Sequence, residues 1–78
     1  MTHDAVIQIA HAEAVKRGWP WVGPLLVEGR RQFSLFGRRS WRVTTNTQYA
    51  EIGSNVHVQV DDATGQVLSS DYVPAQGH

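Results

Sequence analysis

NVHVQVDDATGQVLSSDYV, residues 55–73, is the stretch on which the fold turns. Val56, Val58 and Val60 alternate with His57 and Gln59, the period of two that marks a strand with one buried face. DDATG interrupts the pattern. Gly65 supplies the positive φ that a tight hairpin demands, and the acids read as turn formers. Val67 and Leu68 open a return strand, Tyr72 and Val73 extend it, and Pro74 stops it. The segment predicts a β-hairpin with strands at about 55–61 and 66–73, followed by a loose tail.

Reading back toward the N-terminus, SWRVTT predicts a strand at about 41–46, with Trp41 and Val43 on one side and Arg42 and Thr44 on the other. Before it, Leu25 to Phe36 forms an extended run with a bend or bulge at Gly29. Phe33 and Leu35 share one face of that run, and the turn falls at Gly37. WPWVGP cannot continue a helix and reads as an ordered crossing segment. Upstream of it, residues from about 4 to 17 contain neither Gly nor Pro, and Val6, Ile7, Ala10 and Ala14 recur at helical spacing with Ile9 on the flank. Thr2 or Asp4 caps this helix, Lys16 and Arg17 suit its C-terminal dipole, and Gly18 stops it. Its alanines predict close approach to a sheet rather than a coiled-coil seam. The fold class is therefore α+β: one N-terminal helix packed on a three- to four-stranded antiparallel meander, a single domain over residues 1–78. The sheet face turned away from the helix carries Arg42, Thr44, His57 and Gln59, and is wet or used for binding.

The Ala-rich helix, SWRVTT and GSNVHVQVDDATGQVL together resemble the PepSY family, whose pattern passes through a Trp or Tyr strand into an xVxVDAxTGxVL hairpin. The likeness spans residues 5 to 73, and its specific part is the last hairpin. Hairpins with an aspartate and TG also close some small immunity-type proteins of NTF2-like or cystatin-like fold. The PepSY resemblance implies a non-catalytic, inhibitory, chaperone-like or regulatory module that binds a peptidase or another protein, and the immunity-type likeness implies a toxin as the partner. Neither implies a cofactor.

Composition bounds the alternatives. The chain has no cysteine, so neither a disulfide nor a Cys-based zinc site is available, and a domain this short buries only about 60% of its unfolded surface. A meander with one helix leaves a face and two edges uncovered, which predicts a homodimer. The opening residues lack a basic start before an unbroken apolar run, and no stretch approaches a membrane span. A cytoplasmic location is the default expectation.

Lys and Arg total seven, as do Asp and Glu, but the charges are segregated. Every cation lies between Lys16 and Arg42, where Glu28 is the lone acid, and from Val43 onward there are four acids and no Lys or Arg. Within the basic half, RRQFSLFGRRS (residues 30–40) offers cations and aromatics at the scale a single-strand nucleic-acid groove requires. Arginine pairs flanking an apolar hairpin also discourage edge-to-edge aggregation, and the neutral total favours that reading over nucleic-acid binding. The candidate partner-binding residues are Arg30, Arg31, Arg38, Arg39, Arg42, Trp21, His57 and Gln59. Trp19, Trp21 and Trp41 otherwise serve as bulky packing groups for a protein short of core.

Metal and catalytic readings are weaker. His3 and His11, eight apart on a helix, stand roughly 80° apart in azimuth and about 12 Å apart along the axis, too far to chelate one ion. Asp61 and Asp62 are adjacent at a strand end and point apart, and DDATG lacks the alternating oxygen ligands of a calcium loop. No nucleophile elbow or phosphate-cradling glycine loop is present, so no catalytic residue, cofactor ligand or metal ligand is assigned.

Overall fold

The computed structural model describes residues 1–31, 39–49 and 54–74, with Arg30, Arg31 and Tyr49 described in their backbone. Thr2 begins helix α1 (His3–Arg17), its hydroxyl accepting the Ala5 N–H at 3.2 Å. Of the two candidate caps, therefore, Thr2 acts and Asp4 lies in the first turn, where its charge suits the helix dipole. Gly18 ends the helix at φ 74°. Its N–H reaches Val15 and the Trp19 N–H reaches Ala14, the paired bonds of a Schellman stop.

Four strands follow in sequence order: β1 (Leu26–Arg31), β2 (Arg39–Thr44), β3 (Asn55–Asp61) and β4 (Val67–Val73). They pair antiparallel as β1-β2-β3-β4, so the chain folds as the α+β meander its sequence predicts. Residues 32–38, including Phe33, Leu35, Gly37 and Arg38, lie outside the described residues. β2 starts and ends two residues earlier than the sequence suggests, because Arg39 and Ser40 already pair with Arg31 and Arg30. At the other end Asn46 takes φ 52°, and its N–H donates to the Val22 carbonyl at 2.7 Å. That bond ties the WPWVGP crossing to the end of β2, ahead of a short 3-10 turn at Thr47–Tyr49.

The turn between β3 and β4 is built by Asp61, whose carboxylate accepts the Thr64 N–H at 3.1 Å and the Thr64 hydroxyl at 2.7 Å. Gly65 sits at φ 72° and donates to the Asp61 carbonyl. The aspartate and the TG pair thus act as turn chemistry. Asp62 points elsewhere, accepting the Trp41 indole N–H at 2.6 Å.

The core lies between α1 and one sheet face. Val6, Ala10 and Ala14 form a stripe at intervals of four and meet Val43, Val56, Val58 and Val60, all essentially without solvent exposure. Ile9 packs on this cluster from the flank, while Ile7 is half-buried outside it. Small helix residues let α1 lie close over the sheet, chiefly over β3. The three tryptophans pack around the cluster as half-buried walls. Trp41 lies across Gly29 of β1, where an added Cβ would meet the indole at 3.5 Å, an ordinary contact.

Candidate functional site: the open sheet face

The alternation that buries the valines aims their neighbours away from the helix. Register then aligns those neighbours in rows across the strands. One row runs Leu26, Thr44, His57, Asp71, and the next Glu28, Arg42, Gln59, Ser69. No described residue from another element covers this face with a buried hydrophobic, and the core cluster lies wholly on the other side.

Hydrogen bonds knit the rows. Gln59 donates through Nε2 to the Ser40 hydroxyl at 3.0 Å, and its Oε1 accepts from the Ser69 hydroxyl at 3.4 Å, so one amide spans β2 to β4. His57 Nδ1 lies 3.4 Å from Arg42 Nη2 and 3.3 Å from Thr44 Oγ1. A guanidinium only donates, so Nδ1 meets it as a lone pair and the neutral ring carries its proton on Nε2. Partial burial is the main force lowering the His57 pKa. The Arg42 charge adds to it and Asp71 opposes it. Between these side chains is a shallow groove of about 240 Å³, lined by Arg42, His57, Gln59, Ser69 and Asp71 among others.

Thr44, His57 and Asp71 share a row and have the residue types of a nucleophile, a base and its orienting acid. The chemistry runs the other way. Arg42 and desolvation both weaken the imidazole as a base, and no hydrogen bond joins His57 to Asp71 among the described residues. A flat strand face also lacks the clustered N–H donors that stabilise an oxyanion.

Of the residues singled out from sequence, Arg42, His57 and Gln59 come together here. Trp21 does not: it packs with the helix-side core and stacks on His11, ring centroids 5.0 Å apart. Arg39 is exposed at the start of β2, where its carbonyl accepts the Asp62 N–H. Arg30 and Arg31 fall at the end of β1, and Arg38 lies outside the described residues. Ser69 and Asp71 belong to the face and escape the sequence reading, because a register shift opposite Gln59 and Val60 leaves Leu68 without a β3 partner and breaks the alternation. Counting back in twos from Tyr72 is the signal that separates them from the buried side.

The histidines of the helix are occupied by aromatics. His3 meets Trp41 edge-on at 5.1 Å, and His11 stacks on Trp21. Among the described residues no three His, Asp or Glu side chains converge as metal donors, and no helix is long and apolar enough to cross a membrane. No family model matches the chain, and neither curated proteins nor solved structures yield a match.

Proposed function

We propose that this chain is a non-enzymatic protein-interaction module of inhibitor or regulator type, and that the open sheet face is its contact surface. One observation carries the reading: a groove of about 240 Å³ among Arg42, His57, Gln59, Ser69 and Asp71, on the face that α1 leaves uncovered. These groups offer a cation, a neutral imidazole, an amide, a hydroxyl and a carboxylate within one small area. Mixed donors and acceptors of that kind suit the polar side chains and backbone of another protein. The PepSY-like hairpin supports the inhibitor character, with a peptidase, a toxin or a regulatory target as the partner.

Nucleic acid fits the groove less well. Phosphate tracking asks for a run of cations, whereas Asp71 stands across from His57 and Arg42 is the one Lys or Arg among the described residues that line the groove. Affinity capture from the native host tests the proposal, comparing the wild-type chain with an Arg42→Glu/Gln59→Lys variant and with Gln8→Lys on the exposed helix surface. A protein held by wild type and Gln8→Lys but lost from the double variant supports it. A bound set unchanged by the double variant refutes it, as does micromolar oligonucleotide affinity that falls steeply with salt.

A further inference from the structure

We propose that the chain pairs with a second copy of itself along β4, as an antiparallel two-fold interface centred on Ser70. The proposal goes beyond the functional reading and does not depend on it.

Backbone direction comes first. The Asp61 N–H donates to the Gln66 carbonyl, and Thr45 donates to the Val56 carbonyl. In an antiparallel ladder the bonding direction alternates along a strand, so Gln59 and His57 bond toward β4 while Val56, Val58 and Val60 bond toward β2. Their partners Ser69 and Asp71 therefore turn inward, and Ser70 and Tyr72 present N–H and C=O to the outer edge. β4 is a terminal strand, and among the described residues no backbone group bonds to that edge.

Side-chain chemistry selects the register. With Ser70 opposite its own copy, Leu68 faces Tyr72 of the second copy and Ser69 faces Asp71. Apolar then meets apolar, and a hydroxyl meets a carboxylate. Leu68, 49% exposed, gains the partner that it lacks on β3. Centring on Asp71 would set two carboxylates directly opposite, which is repulsive, and centring on Ser69 would set Val67 against Asp71. β1, the other terminal strand, carries Glu28, Arg30 and Arg31 within six residues, a charge density that protects an edge, whereas β4 carries Asp71 alone in seven.

The dimer also answers a shortage. The largest fully buried side chains are valines and Thr45, and there is no disulfide. Pairing joins the two four-stranded sheets into one continuous sheet, with both grooves side by side on its open face.

The test uses the full chain, which has no native cysteine to confuse it. Directly opposite residues in a bonded antiparallel pair have Cα atoms about 5.5 Å apart, within disulfide reach. Ser70→Cys should therefore crosslink to a covalent dimer under mild oxidation. Ser69→Cys should not, because its copy lies a diagonal away, beyond about 7 Å. Ser70→Pro removes an outward N–H that the β3 ladder does not use, so the variant should sediment as a monomer while keeping its cooperative melt. Wild type should sediment as a dimer at about 100 μM, a concentration well above the Kd of an interface of ordinary size. A wild-type monomer at that concentration overturns the proposal, and so does a dimer in which Ser69→Cys crosslinks as readily as Ser70→Cys. Should Ser70→Pro fail to fold, the cysteine pair still decides the matter.

Discussion

Ala10→Asp tests how the helix meets the sheet. Ala10 has no solvent exposure and sits in the middle of the Val6–Ala10–Ala14 stripe that faces the sheet valines. Full burial raises a carboxyl pKa by up to about 3–5 units, and each unit is 1.36 kcal/mol between the two protonation states. The ionised form therefore costs about 4–7 kcal/mol. At about 0.05–0.15 kcal/mol per residue, a chain of this length has roughly 4–12 kcal/mol in all. Each lost kcal/mol lowers Tm by about 4–8 °C in a domain of this size, so the mutant should melt at least about 15 °C lower or be unfolded at pH 7. The raised folded-state pKa also fixes the pH dependence. The folded mutant retains its proton longer than the unfolded chain, so its deficit relative to wild type is smallest below about pH 4 and grows as pH rises through the folded pKa. Ala10→Asn, which carries no charge, should show a deficit that does not change with pH. Tryptophan fluorescence in urea at pH 4 and pH 7 measures both. A mutant melting within a few degrees of wild type at pH 7 would show that this stripe does not face the sheet.

Other expectations concern the turn, the edge and the imidazole. Gly65→Ala should destabilise by about 1–2 kcal/mol, the usual cost of a left-handed φ for a residue with a Cβ, measured by denaturant unfolding. Gly29→Ala should be close to neutral in the same assay, since the added Cβ meets Trp41 at 3.5 Å; a loss as large as that of Gly65→Ala would misplace the indole. His57 titrates below its ordinary value of 6.5, so the folded chain resists protonation there and loses stability as pH falls through the unfolded value toward the folded one. Arg42→Gln should raise the His57 pKa and soften that loss, read from the imidazole NMR shifts; an unchanged titration would detach Arg42 from the ring.

Much of this architecture is legible in the sequence because local rules suffice for it. Val56, Val58 and Val60 announce a half-buried strand by alternation, and Gly65 and Gly18 each sit where a positive φ ends an element. Arg42, His57 and Gln59 fall on one face by the same counting. What local rules miss depends on chain partners far away. The start of β2 at Arg39 follows from pairing with β1, and the destination of Asp62 follows from the Trp41 indole 21 residues earlier. The share of Ser69 and Asp71 in the groove is hidden by the bulge at Leu68, which no composition rule reveals. His3, His11 and Trp21 look like free chemistry in the sequence, yet ring contacts absorb them into the helix side.

The most direct test of the open face as the contact surface is amide-resolved NMR of the labelled chain with the captured partner added. Binding should move or broaden the signals of Arg42, Thr44, His57, Gln59, Ser69 and Asp71, and leave those of exposed helix positions such as Gln8 and Ala12 in place. A footprint on the outer surface of α1, with the strand signals unmoved, would contradict the account.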